Sequence, residues 1–297
     1  MPKERNSILI VLMIIGVTVL FLGIAMALIL NFFGPSSNLS FGNKIGIIPI
    51  VGKIADSDPI VSQLVEFKKD SRIKAIILRI DTPGGGVAPS QEIYREVQKT
   101  IKTKKVISSM GNLAASGGYY IAAASNKIVA NPGTLTGSIG VIMEFIQLQE
   151  LLKKIGIGLE VMTSGEFKDI GSPHRKMTDQ EKTLINELIS DIQEQFVSAV
   201  AQGRNLSVER VREIADGRIF SGAKAKELGL VDLLGNFQDA IALAKKMTGI
   251  EGDVTLVYPK KEKFRLWDLL LGETLEGFSR AVADHLITRI EYRWTGP

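Results

Sequence analysis

The chain has 297 residues, 45% of them hydrophobic, with 36 Lys and Arg against 32 Asp and Glu for a net charge of +4. That length buries a substantial core, and the interspersed charges form no basic stripe with aromatics, so nothing points to nucleic acid. There is no cysteine, and the two histidines, His174 and His285, lack ligand spacing, so disulfides, thiolate chemistry and a metal site are not expected.

Residues 1–7 form a short N-tail carrying Lys3 and Arg5, followed by 23 uncharged residues from Ile8 to Leu30. As a helix, that stretch reaches about 34 Å, enough for a hydrocarbon core of roughly 30 Å. The next basic residue is Lys44, so the bias in basic residues puts the N-tail in the cytoplasm and the body outside. The expectation is a retained, single-pass signal anchor. The competing reading, a cleavable leader, rests on Ala25 and Ala27, but the apolar run is longer than a leader's and continues past that point. Residues 31–43, with Gly34-Pro-Ser-Ser-Asn38, read as a linker.

The globular part starts near Lys44. Ile45–Val51 reads as a buried strand, 59–69 as a helix with Ile60, Leu64 and Phe67 on one face, and Ala75–Ile80 as a second strand. The break Asp81-Thr-Pro-Gly-Gly-Gly86 precedes a helix over 89–102, with Ser90 a candidate cap. Val106–Met110 reads as a third strand broken at Gly111-Asn112, then a small-residue helix over 117–125 and a strand over 127–130. Further on, 158–163 reads as a strand leading into a turn at Lys168. The stretch 178–202 is the longest amphipathic helix, with Leu184, Leu188, Ile192 and Phe196 on one face. Two short helices follow, over 208–215 and 221–228. This alternation argues for an α/β domain with its sheet covered by helices.

Ser116 lies in Met110-Gly-Asn-Leu-Ala-Ala-Ser-Gly-Gly-Tyr-Tyr120, at a strand-to-helix junction crowded with small residues. A serine nucleophile needs a base, an oxyanion hole and an exposed backbone perch. The N–H of Gly85 is the favoured oxyanion donor, Gly84 lies close behind it, and Gly117 is a further donor. The candidate base is Lys168, in Ser164-Gly-Glu-Phe-Lys-Asp169. A lysine acts as a base only when neutral, which takes burial or nearby positive charge, and Phe167 and Ile170 would supply apolar walls. Asp169 should then point away, while Ser138, in Thr136-Gly-Ser-Ile-Gly140, is a candidate to hold the amine. The rival base, His174, sits in a polar loop beside Arg175 and Lys176.

Asp81–Val87, Met110–Tyr120, Thr134–Val141, Ser164–Asp169 and Ala215–Arg218 together resemble, in order, motifs of bacterial signal peptide peptidase A in its short single-domain form. The resemblance covers residues 44–258. It implies a Clp-protease/crotonase-like α/β fold of repeated ββα units, with Ser116 as nucleophile, Lys168 as general base, Gly85 in the oxyanion hole and Ser138 beside the lysine. It also implies no cofactor, a membrane-anchored body, a homo-oligomeric ring (an octamer in the short form) with each site completed at a subunit boundary, and cleaved signal peptides as substrates at the outer face of the cytoplasmic membrane. Alternatives are an acyl-CoA enzyme of the crotonase fold and a catalytically inactive membrane scaffold. Residues 259–297 fall outside the resemblance. Phe264, Trp267, Leu271, Leu275, Phe278, Val282 and Leu286 recur at helical spacing there, so an amphipathic helical extension is expected. It would pack on its own or a neighbouring subunit, or lie on the membrane surface through Trp267, Trp294, Arg280, Arg289 and Arg293.

Overall fold

The computed structural model describes residues 13–26, 43–259 and 290–295, and the chain divides into two units, residues 1–41 and 42–297. In the first unit residues 13–26 are helical (α1), with large apolar side chains such as Phe21 and Leu22 exposed. Among the described residues no helix is long and apolar enough to cross a membrane. Positions 8–12 and 27–30 of the expected anchor lie outside the described residues.

The second unit begins with β1 (Lys44–Val51), α2 (Asp58–Lys69), β2 (Ile73–Thr82), β3 (Gly84–Gly86), α3 (Val87–Thr100), β4 (Lys105–Ala115) and α4 (Gly117–Ala123). It continues through β5 (Lys127–Ala130), β6 (Leu135–Gly137), β7 (Ile142–Met143), α5 (Gln149–Lys154), α6 (Asp179–Arg204) and α7 (Val208–Arg212). The remaining elements are β8 (Ile219–Ser221), α8 (Gly222–Glu227), β9 (Leu233–Leu234), α9 (Phe237–Thr248), β10 (Thr255–Val257) and β11 (Ile290–Arg293).

An eight-stranded sheet runs β10-β1-β2-β4-β5-β9, with β6 joined to β4 and β8 to β6. Every pairing in it is parallel except β6–β8. A parallel sheet is covered on both faces, which is why Ile45–Val51 of β1 and Ala75–Leu78 of β2 lack charged residues. Ile45, Ile47, Ala75, Ile77 and Ile107 face Ala240, Ile241 and Ala244 of α9. The alternate residues Ile48, Ile50, Ile76, Leu78 and Ile80 join the larger core with Leu64, Ile93, Ile121 and Phe196 of the helices opposite. This α/β architecture agrees with the sequence expectation.

Four local expectations are corrected. β4 does not stop at Met110. It bends at Gly111-Asn112, where the Leu113 N–H donates to Asp81 Oδ1 at 3.1 Å, and changes neighbour from β5 to β6. Ser90 is not the cap of α3, because its hydroxyl donates back to the Gly86 carbonyl at 2.8 Å. Residues 158–163 form no strand: Leu159, Val161 and Met162 are exposed, and the stretch pairs with no strand among the described residues. On α6 the buried face is Ile185, Ile192, Phe196, Val197 and Val200, leaving Leu184 43% and Leu188 40% exposed.

In the C-terminal extension, the helical stripe from Phe264 to Leu286 lies outside the described residues, whereas Ile290–Arg293 is extended, not helical. The reason is pairing. β11 lies antiparallel between β3 and β7 in a separate three-stranded sheet, so its backbone groups find partners as a strand.

Candidate active site

The bend in β4 carries the chain to Ser116, which caps α4 with φ 53° and ψ −116°. A non-glycine residue at positive φ costs about 1–3 kcal/mol and persists only where its surroundings impose it. Here the Ser116 N–H donates to the Gly137 carbonyl at 2.8 Å and the Tyr120 N–H donates to the Ser116 carbonyl at 2.8 Å, which pins the turn from both sides. The residue is 1% exposed, and its Oγ is buried without a hydrogen-bond partner among the described residues. A buried hydroxyl without a bond is costly in a folded chain, which sets Ser116 apart from the bonded serines of the same core.

The glycine turn stands directly opposite. Thr82 Oγ1 accepts from the Gly84 N–H at 3.0 Å, and on its outer side β3 is tied to Ile54 by Ile54 N–H to Gly84 carbonyl at 2.9 Å and Gly86 N–H to Ile54 carbonyl at 2.8 Å. Gly84 sits at φ +100°, and a Cβ there would lie 2.0 Å from the Tyr292 carbonyl oxygen and 2.7 Å from the Gly117 nitrogen. A Cβ on Gly85 would strike the Ile54 backbone at 2.1 Å. No side chain fits at either position.

β11 runs along this edge with Arg293 opposite Gly84, Tyr292 opposite Gly85 and Glu291 opposite Gly86. The Trp294 N–H donates to the Pro83 carbonyl at 2.8 Å. Hydrogen-bonded pairs alternate along an antiparallel ladder, so Tyr292 and Gly85 form the next bonded pair and the Gly85 N–H faces the Tyr292 carbonyl. That carbonyl also lies 3.2 Å from where a Cβ on Gly117 would stand. It is wedged between the two glycines that sequence reasoning chose as oxyanion donors. The Tyr292 ring is fully buried, stacked on Tyr120 at 5.1 Å between centroids and tilted against Phe196 at 4.5 Å, with its hydroxyl donating to the Ile192 carbonyl at 3.2 Å. Burial raises its phenol pKa and lifts that of Tyr120 to about 12, so both rings stay neutral. On the other face of β11, Glu291 pairs with Lys53 at 2.8 Å and Arg293 with Glu144 at 2.8 Å.

Ser138 follows β6 at φ 47°, its N–H donating to the Arg218 carbonyl at 2.9 Å, while the Gly217 N–H donates to the Ile139 carbonyl at 3.1 Å. The stretch Ala215–Arg218 thus serves as the brace of the Ser138 turn. Ser138 lines a cleft of about 390 Å³ with Gly140, Ile189, Gln193, Asp216 and Trp294, next to the end of β11.

The structure brings together Ser116, Gly84, Gly85 and Gly117, with Ser138 in the adjoining turn. It does not bring Lys168 to them. Lys168 is exposed on a turn closed by its own N–H to the Gly165 carbonyl at 3.1 Å, and no hydrogen bond links it to either serine within the chain. Its neighbour Asp169 is held by Arg175, through bonds of 2.7 Å from Nε and from one terminal nitrogen. The same guanidinium binds Glu181 at the start of α6. It holds Asp169 below the usual carboxylate range and draws Glu181 down to about 2. His174, the rival base, sits in this loop and likewise makes no bond to Ser116. Among the described residues no group of His, Asp and Glu could hold a metal.

Sequence reasoning missed the occupant of the cleft and its aromatic wall. Tyr120 carries no role in the serine motif as read from sequence, and Ile290-Glu-Tyr-Arg-Trp294, rich in strand formers, falls within the extension expected to be helical, beyond its apolar stripe. That β-forming composition was the available signal.

The sequence model of peptidase family S49 matches residues 98–251, just over half the chain, and that of Clp protease matches residues 42–134. A Synechocystis protein named "Putative protease" is 46% identical over 211 residues, covering 71% of this chain and 76% of its own length. A Methanocaldococcus jannaschii protein with the same description is 31% identical over 303 residues, covering 94% and 97%. An Enterococcus faecium protein named "Putative signal peptide peptidase" is 37% identical over 235 residues, covering 78% and 68%.

Proposed function

Since the chain belongs to peptidase family S49 and is a serine peptidase, we propose that Ser116 is its nucleophile, Lys168 its general base, and the N–H groups of Gly85 and Gly117 its oxyanion hole. The observation that carries the reading is β11, a peptide strand laid along Gly84–Gly86 with the Tyr292 carbonyl between those two glycines and the unpartnered Ser116 hydroxyl nearby. A substrate takes the same path. Its backbone pairs with β3 on one side and β7 on the other, and the residue before the scissile bond enters the pocket of Tyr120 and Phe196.

The neutral Lys168 amine takes the Ser116 proton as Oγ attacks the carbonyl carbon. Negative charge develops on the carbonyl oxygen, where the two N–H groups are already aimed and need no reorganisation. The resulting ammonium returns the proton to the leaving amine, and water then hydrolyses the acyl-enzyme with the same lysine as base. Ser138 bonds the neutral amine from the neighbouring turn.

Lys168 comes from an adjacent copy in a homo-oligomeric ring. Its exposure supports this, as do the exposed apolar side chains that precede it in the chain, from Ile146 through Leu159 to Met162, together with Leu184 and Leu188 on α6. Residues 8–30 anchor the chain in the cytoplasmic membrane with the domain outside, where cleaved signal peptides are the substrates. A serine-reactive phosphonate tests the assignment: Ser116→Ala and Lys168→Ala should each remove hydrolysis while the assembled state survives, and turnover in either variant defeats it.

A further inference from the structure

The face of β11 turned away from the aromatic pocket carries charge, and the protein meets that charge with opposite signs. Glu291, the residue before Tyr292, is 5% exposed as a whole, yet its carboxylate is ionically paired. Lys53 Nζ lies 2.8 Å from Oε1, and Arg293 Nε of the same strand lies 2.9 Å from Oε2. Among the described residues Glu291 is the one carboxylate within ion-pair distance of Lys53. Lys53 does not sit on a loose surface loop. The next residue, Ile54, is hydrogen-bonded in both directions to Gly84 and Gly86, so the lysine is held in register with the oxyanion strand. Beside it a cleft of about 340 Å³ is lined by Ile54, Gly86, Val87, Pro89 and Glu291.

We infer that Lys53 is a specificity-determining residue that selects a carboxylate side chain immediately before the aromatic residue at the scissile bond. The inference rests on the peptidase reading of the cleft and extends it, because an acidic–aromatic pair is foreign to the apolar core of a signal peptide. Burial decides the weight of the contact. The Glu291 side chain is 6% exposed against Lys53 at 27%, so their attraction is little screened. Arg293, on the far side of the scissile bond, meets Glu144, whose side chain is 62% exposed, and that rim contact discriminates less.

The test has two arms on the full chain. In the first, peptides alike except for Glu, Gln or Lys before a tyrosine are compared by kcat/KM. The wild type should favour Glu over Gln by about tenfold, the scale of a charge-assisted contact. Lys53→Met should bring that ratio near one, Lys53→Glu should turn the preference toward Lys, and Glu144→Gln should leave it in place. In the second arm, hydrogen exchange at Gly85, which faces the Tyr292 carbonyl, and at Trp294, which donates to the Pro83 carbonyl, reports docking of β11 without catalysis. Lys53→Glu should speed exchange and the charge-swapped pair Lys53→Glu with Glu291→Lys should restore it. An unchanged Glu:Gln ratio in Lys53→Met, or exchange indifferent to both substitutions, overturns the inference. If the exchange arm holds and the wild type cuts no peptide, the peptidase reading fails while charge selection by Lys53 stands.

Discussion

Placing a methyl group on Gly84 should disable the site with modest damage to the fold. The Cβ of Gly84→Ala would stand 2.0 Å from the carbonyl oxygen of the docked strand and 2.7 Å from the Gly117 nitrogen, so it occupies the space where the oxyanion forms. Both clashing atoms belong to backbone held by hydrogen bonds, so neither can swing aside as a side-chain tip would. Loss of one oxyanion donor costs about 10²- to 10³-fold in kcat, roughly 2.7–4 kcal/mol. Blocking the hole to both donors should exceed that, giving a loss of at least about 10³-fold. The φ of +100° adds strain of about 1–3 kcal/mol to the folded state. In a domain of this size that lowers Tm by about 2–12 °C, at roughly 2–4 °C per kcal/mol. The assay pairs kcat/KM on a fluorogenic peptide with a thermal melt. Gly86→Ala is the control, since its Cβ would press on the Pro89 ring at 3.1 Å and touch the Ile54 carbonyl at an ordinary 3.7 Å. A Gly84→Ala protein that melts cooperatively yet keeps kcat/KM within about threefold of wild type would refute the placement of the oxyanion hole.

Mixing Ser116→Ala with Lys168→Ala subunits before assembly should recover about a quarter of wild-type activity, because random neighbours pair an intact serine with an intact lysine that often. No recovery above either parent would put both groups in one chain. Tyr292→Ala removes the ring that holds β11 in the aromatic pocket, at a cost of about 3–5 kcal/mol for a buried aromatic. It should lower the apparent KM for added peptides, and a KM equal to or above that of wild type would count against competition by the tail. Asp169 and Glu181 have pKa values below their unfolded ones, so their contribution to stability is fully present above about pH 4.5 and is lost as pH falls toward 2. Urea titrations over that window should show a shallower acid dependence in Arg175→Gln than in wild type, and equal slopes would exclude Arg175 as the cause.

The parts of the fold legible in the sequence were those set by local chemistry. The apolar stretches Ile45–Val51 and Ala75–Leu78 read as buried strands by their short length and flanking breaks, and the three glycines after Pro83 marked a strand-end turn with exposed N–H groups. What could not be read depended on distant partners. The continuation of β4 needs the Asp81 carboxylate to receive the Leu113 N–H across the bend. The stretch 158–163 reads as a strand in sequence but pairs with no strand among the described residues. Leu184 and Leu188 follow the helical stripe yet face outward, which a single chain's periodicity cannot distinguish from core. β11 is extended because two separate edges, β3 and β7, offer it hydrogen bonds. Among the candidate site residues, Ser116 and the glycines stand out by their small-residue context, and the family resemblance supplies the roles proposed for them. Lys168 was singled out by the scarcity of histidine and by its motif, and the single chain leaves it apart from the serine.

The most direct measurement is the site and rate of modification by a fluorophosphonate, read by mass spectrometry on the assembled protein. The account predicts one adduct, on Ser116, absent in Ser116→Ala and formed at least about 10²-fold more slowly in Lys168→Ala, the scale of a lost general base. An adduct on another serine, or a rate on Ser116 indifferent to Lys168, would contradict it.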